Sequence, residues 1–387
     1  MTPEPSTSAS SKPFNVYNMT SRIKNLYNRL TPSSSSPAIS TTGFSKAPDA
    51  SSLFPETDPS TDGEECLHDC SSCTIKYPNK WSIDEGEALY GNVKGWSTHL
   101  IVATGKSDWV RDVADEKGSI MEAVDNCGVK PTNGRLMISA SNMPLPEHDR
   151  DSTTVLLLPS FTLLENVTPS NVSDLIVDYV NSGPTNTSPL SHPPTSTSSL
   201  MASLSISDTD LAAVPAPMPA TTLKARPCPH QYLILLCSQK TRDARCGQSA
   251  PLLRRELERH LRPLGLYRDL HDERPGGVGI YFISHVGGHK FAANMMVYRK
   301  QAPKASSTSL DAPNGATETN VAAENGVQNN GENAGLAGEA TQCIWLARVR
   351  PEDCENIVRY TVLQGKVVKP ERQLRGGFDR EKRLVSW

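Results

Sequence analysis

Short apolar runs separated by helical patterns occur twice along this chain. In the C-terminal half, QYLILL (231–236) and VGIYFIS (278–284) are apolar and short enough to be strands. Between them Leu252, Leu253, Leu257, Leu261 and Leu264 recur at helical spacing, with Arg and Glu in the gaps, so 250–266 predicts a helix that stops near Gly265. ANMMVYR (293–299) and CIWLARV (343–349) predict a third and a fourth strand. A helix follows from about Pro351 to Gln364, with Pro in its first turn and Gly365 at its end. In the N-terminal half, STHLIVATG (97–105) predicts a strand and 107–126 a helix or two, capped by Ser107 or Asp108. GRLMISAS (134–141) and STTVLLLPS (152–160) predict strands, and 169–180 a helix. Each half therefore reads as an α/β unit that opens on a strand and a helix.

Composition separates these units. The 387 residues include 30 Pro, and Ser and Thr crowd particular stretches. Residues 1–60 read as a disordered tail, 181–227 as a disordered linker and 301–341 as a disordered insertion. The folded units are then 61–180 and 228–370, with 371–387 as a C-terminal tail. FNVYNMTSRIKNLYNRL (14–30) could form a basic amphipathic helix, conceivable as a presequence or a membrane-surface element, although a disordered tail is the favoured reading. Net charge is −3, which argues against a nucleic-acid binder, and no apolar run approaches the ~20 residues of a membrane span.

Chemistry gathers after the first two strands of the second unit. Cys237 and Cys246 sit in CSQKTRDARC, and His285 and His289 in HVGGH. Thiolate suits zinc, copper(I) and iron–sulfur clusters; imidazole suits zinc, copper, iron and nickel. The four residues leave two candidates, a structural zinc and a 2Fe–2S cluster with two histidine ligands. Eight residues between the cysteines are more than a zinc knuckle uses. HVGGH is no zincin helix, because Val286 replaces the general-base Glu and Gly287–Gly288 weakens a helix. Those glycines suit a loop whose backbone approaches something closely. Arg242, Arg245 and Lys290 flank the ligands, either tuning the site or merely solvated.

TRDARCG (241–247) and SHVGGHKFAAN (284–294) resemble the sucrase/ferredoxin-like family of fungal, actin-patches-distal type, over about 61–180 and 228–387. The resemblance implies a thioredoxin-like ferredoxin with a bis-histidinyl, non-Rieske 2Fe–2S cluster; the repeated order of strand, helix, two strands and helix in 61–180 reads as a second thioredoxin-like domain without the ligands, giving two in tandem. Cys237 and Cys246 would bind one iron, His285 and His289 the other. The implied role is electron transfer to an unidentified redox partner, with proton coupling through the ligating imidazoles, rather than an enzyme with its own substrate. The alternative is a zinc-stabilised interaction module linked to cortical actin organisation. Leu384-Val385-Ser386-Trp387 resembles the C-terminal aromatic signal by which clients engage the cytosolic iron–sulfur assembly machinery.

Other motifs are weaker. CLHDCSSC carries Cys66, His68, Cys70 and Cys73, and Cys70-x2-Cys73 could bind zinc or form a redox disulfide. Nine cysteines point to a reducing compartment, and the cytoplasm is expected, with the nucleus also open and mitochondria less favoured. ATGKS resembles the end of a P-loop, but Leu100 occupies the required first glycine. No carboxylate pair stands out for glycoside hydrolysis.

Overall fold

The computed structural model describes residues 43–146, 151–190, 223–300 and 338–387. The basic segment 14–30 and most of the linker and insertion lie outside the described residues. Strand-forming runs β1 (Ser45–Lys46), β2 (Thr98–Ala103), β3 (Leu136–Ser141), β4 (Thr153–Leu158), β5 (Thr162–Val167) and β6 (Lys224–Pro227) come first. They are followed by β7 (Tyr232–Cys237), β8 (Tyr267–Arg268), β9 (Val278–Ile283), β10 (Met295–Lys300), β11 (Ala340–Leu346), β12 (Leu374–Asp379) and β13 (Leu384–Val385). All belong to one sheet, in the order β1-β13-β12-β11-β10-β7-β9-β3-β2-β4-β5-β6, with β8 beside β9.

The two halves repeat one pattern. In the first, β2 runs parallel to β3 and antiparallel to β4, which pairs with β5. In the second, β7 runs parallel to β9 and antiparallel to β10, which pairs with β11. Each first strand leads into a helix, α1 (Ile120–Asn126) and α3 (Ala244–Leu261) respectively. Each hairpin leads into a continuous helical run. These are α2, from Pro169–Asn171 through Val172–Asp174 to Leu175–Val180, and α4, from Pro351–Asp353 through Cys354–Asn356 to Ile357–Val362.

Alternation along the strands sorts the core. Leu100 and Val102 face α1 and α2, whereas Ile234 and Leu236 face α3 and α4. The opposite faces, with Ile101, Ala103, Leu233, Leu235, Tyr298 and Trp345, pack into one shared apolar cluster. His99 sits inside it, fully buried, 3.1 Å from Tyr298 Oη and 2.9 Å from Ser139 Oγ. The halves also join edge to edge, where Ser141 pairs with Ile283. The backbone N–H of Phe282 donates to Asn142 Oδ1 at 2.7 Å, and that of Ala140 to Ser284 Oγ at 3.0 Å. The expectation of separate tandem domains thus meets a repeated half in one continuous sheet.

Several boundaries differ from the pattern-based reading. Residues 371–387, expected as a tail, carry β12 and β13, because β12 pairs with β11, Leu374 joins the core on one face of the sheet, and Phe378 and Val385 join the core on the other. Residues 43–60 are structured too: β1 pairs with β13, and Leu53 and Phe54 enter the core. The linker's ends are tied down. Arg380 donates to the Ser188 carbonyl at 2.9 Å, and β6 adds to β5. The helix expected from residue 107 begins only at Ile120, where Ser119 caps it by accepting from the Glu122 N–H. Asp108 is used elsewhere, accepting from Thr241 N and Oγ1 at 3.0 and 2.8 Å. Among the described residues, no helix is long and apolar enough to cross a membrane.

Candidate metal centre

Cys237 is the last residue of β7, in register with Ile283, the last residue of its parallel neighbour β9. Parallel neighbours that end at one level release their loops side by side. The loop after β7 leads to α3, and the loop after β9 carries His285. This common edge brings together residues 48 positions apart: Cys237 Sγ lies 3.7 Å from His285 Nδ1. Cys246 arrives on α3, which starts six residues earlier than the leucine pattern indicates. Asp243 caps it by accepting from the Arg245 N–H, so Cys246 lies in its first turn rather than on a loop. Cys237, Cys246 and His285 offer ligand atoms that all lie within 4.8 Å of one another, and both cysteines are buried. The backbone of His289 opens the 3-10 turn His289–Phe291 on the same loop, and its side chain lies outside the described residues.

The sulfur pair is electrostatically uneven. A hydrogen bond from Cys246 holds the Cys237 thiol down to about 5, with help from His285, despite full burial. The Cys246 thiol is pushed up by the same hydrogen bond and by burial. The shared hydrogen bond thus favours the thiolate on Cys237 and the proton on Cys246, and a metal bound by both would displace that proton.

Several residues without a motif of their own shape the site. Gln239 is buried and clamps both loops: its Oε1 accepts from the His285 N–H at 2.8 Å, while its Nε2 donates to the Val110 carbonyl at 2.5 Å. Arg375 on β12 reaches under the glycine loop. Its guanidinium donates to the Gly287 carbonyl at 3.1 Å, Asn294 Oδ1 at 2.7 Å and the Asn92 carbonyl at 3.0 Å. Asn294 in turn accepts from the Cys237 N–H through its carbonyl at 3.2 Å. Arg375 lies 4.2 Å from the Trp345 ring, and burial lowers it to about 10, so it stays charged beside the site. Trp81 packs on Cys237, Cys246 and Ala292 and donates its indole N–H to the Arg245 carbonyl at 3.2 Å.

The flanking charges are mostly committed. Arg245 pairs with Asp243 and reaches the Ser82 carbonyl, Lys290 pairs with Glu87, and Arg242 donates to the Arg111 carbonyl. Cys66, Cys70 and Cys73 take no part in this site. Cys70 and Cys73 lie against the other end of α3, where Arg259 donates to Cys70 Sγ and Glu256 hydrogen-bonds to Cys73.

The donor set fits a thiophilic metal centre. Metal–ligand bonds of about 2.0–2.3 Å put tetrahedral ligand pairs about 3.3–3.8 Å apart. The 3.7 Å from Cys237 Sγ to His285 Nδ1 is such an edge.

The model of the sucrase/ferredoxin-like family matches residues 89–376, which takes in both halves and all four candidate ligands. The chain belongs to the sucrase/ferredoxin-like family. It is 52% identical over 65 residues to actin patches distal protein 1 of Saccharomyces cerevisiae, covering 17% of this chain and 21% of that protein. It is 29% identical over 140 residues to altered inheritance of mitochondria protein 32 of Clavispora lusitaniae, covering 36% and 33%. The Debaryomyces hansenii protein of that name is 28% identical over 137 residues, covering 35% and 33%. The chain thus spans between about a fifth and a third of these relatives' lengths. No solved structure matches it.

Proposed function

We propose that this family member is a thioredoxin-like ferredoxin that carries a 2Fe–2S cluster on Cys237, Cys246, His285 and His289 and transfers single electrons. One observation carries the reading: two buried sulfurs and an imidazole converge where β7 and β9 end. The repeated order of strand, helix, parallel strand, antiparallel hairpin and helix supports a thioredoxin-like half on each side. The ferredoxin in the family's description supports the cofactor.

When bound, such a cluster supplies one-electron redox chemistry at a potential above that of an all-cysteine ferredoxin, because neutral imidazole replaces thiolate. The protein does the rest. Trp81 and Ala292 limit water around the sulfurs. The buried Arg375 cation holds the Gly287 carbonyl and offsets negative charge gained on reduction. A ligating imidazole keeps a second nitrogen that can take up a proton as the electron arrives. The potential is then expected to fall with rising pH, and a flat potential between about pH 6 and pH 9 refutes the coupling.

The zinc reading rests on the 3.7 Å separation, which suits ligands of one metal ion. Anaerobic purification, visible absorption and EPR of the dithionite-reduced protein decide between the two, with His289→Cys alongside. A Rieske-like spectrum that shifts toward an ordinary ferredoxin's in the variant supports the cluster. A colourless protein with one zinc at Cys237 refutes it and leaves an interaction module, linked to cortical actin by the name of one relative.

We place the protein in the cytoplasm, engaged by the iron–sulfur assembly machinery through Trp387; the mitochondrial name of other relatives makes fractionation the direct test. Val385 and Ser386 are buried and the Ser386 N–H donates to Gly377. That placement fits a signal read before β13 docks. Because Trp387 also packs on Trp96, Trp387→Phe is the cleaner variant: it should lower iron content in cells while the purified protein still takes up a cluster on reconstitution. Equal iron content in cells refutes this role.

A further inference from the structure

A second set of soft ligands stands at the far end of α3. Glu256 and His260 are four residues apart and share a helix face. Cys70 comes to them from the turn after the short helix Glu64–Leu67. Its Sγ lies 3.8 Å from His260 Nε2, which lies 3.3 Å from Glu256 Oε1, and all three atoms are within 4.8 Å of one another. Both separations are edges of a tetrahedron with metal bonds of about 2.0–2.3 Å. Cys73 follows at knuckle spacing and hydrogen-bonds to Glu256, while its Sγ donates to the Ile75 carbonyl at 3.6 Å and would turn inward to serve as a fourth ligand.

Charge gives an independent reason for a cation here. The Glu256 side chain is 1% exposed, and a buried carboxylate needs a positive partner. Arg259 supplies it. Its Nη2 touches Glu256 and lies 3.3 Å from Cys70 Sγ and 3.0 Å from His260 Nε2. One guanidinium nitrogen therefore sits among all three ligand atoms. The Arg259 side chain is 42% exposed, so it can swing into solvent while the ligands stay in place.

We propose that Cys70, Cys73, Glu256 and His260 form a zinc site separate from the Cys237 centre, with Arg259 as the cation that balances it in the metal-free form. The cysteines bind as thiolates, and their protons leave to solvent as zinc enters. A cleft lined by Cys70, Cys73, Tyr77, Trp81 and Arg350 gives access. The site clamps a strap. From Cys73 the chain passes Tyr77, whose hydroxyl donates to the Val349 carbonyl at 2.7 Å, and reaches Trp81 over the first centre. Zinc at one end of α3 thereby fixes the cover at the other end.

The proposal does not depend on what the Cys237 centre holds, and one experiment keeps the two apart. Full-length protein is incubated with one equivalent of zinc, and zinc and iron per chain are measured on the same sample. About one zinc per chain is expected in the wild type, lost in Cys70→Ser and His260→Ala with iron unchanged. Arg259→Ala should retain zinc against a chelator at least as well as the wild type, which also shows that disturbing this end of α3 does not itself remove metal. Cobalt in place of zinc should give a thiolate charge-transfer band that Cys70→Ser abolishes. Zinc per chain that is the same in Cys70→Ser and His260→Ala as in the wild type overturns the proposal, as does a wild type that takes up none.

Discussion

Gly287 and Gly288 differ in one respect that a pair of substitutions can isolate. Both have positive φ, 91° and 67°, where an L-residue is strained. A Cβ on Gly287 meets nothing within 4 Å, whereas one on Gly288 would lie 2.4 Å from Arg375 Nη2 and 2.8 Å from its Cζ. Arg375 cannot retreat easily, being 3% exposed, 4.2 Å from the Trp345 ring and bonded to three acceptors. Gly287→Ala should cost the backbone term alone, about 1 kcal/mol. Gly288→Ala adds the loss of one or two charged hydrogen bonds, about 2–4 kcal/mol more. Denaturant unfolding of the full chain measures the difference, and metal retention reads its effect on the site. Gly288→Ala should unfold earlier and lose metal first. Equal behaviour of the two variants would refute the view that Arg375 sets the shape of the HVGGH loop.

Other outcomes follow from the same geometry. Cys237→Ser should abolish metal binding at the first centre, read by elemental analysis, while Gln239→Ala should weaken it by about 10–100-fold in chelator competition. Burial lowers His99 to about 3 and His230 to about 4, against about 6.5 in the unfolded chain. These groups are depressed on folding, so their contribution is full above about pH 6.5 and is lost as pH falls toward those values, at about 1.4 kcal/mol per unit per histidine. Unfolding midpoints should show that slope, and His99→Asn should flatten it; an unchanged slope counts against the assignment. Trp387 stacks on Trp96 with ring centroids 4.6 Å apart, so Trp387→Ala should destabilise the fold by about 2 kcal/mol, visible as a lower thermal midpoint.

Strand alternation was enough to place β2, β3, β4, β7, β9, β10 and β11 near their final bounds, as the helical patterns were for α2 and α4, because burial on one face imposes those periods locally; α1 and α3 start elsewhere than their patterns indicate because Ser119 and Asp243 cap them. The ligand candidates were legible for a similar reason, since soft side chains clustered on short segments are chemically conspicuous. Other elements carry no such local signature. β5 lies in TLLENV, where Glu165 and Asn166 break the apolar run, and β6 pairs with it from across the linker. The tail became β12 and β13 through pairing with strands far away in sequence.

The sequence by itself therefore determined the two α/β halves, the family and the types of donor available. Only the tertiary structure decided which donors meet. Register between β7 and β9 brings Cys237 to His285, and the long reach of Arg375 from β12 to Gly287 links residues 88 positions apart. The same holds for Cys70 and His260, which are 190 positions apart. Local periodicity encodes which face of an element is buried, but a site is made of pairings between distant elements, and those are fixed only when the whole sheet closes on its core.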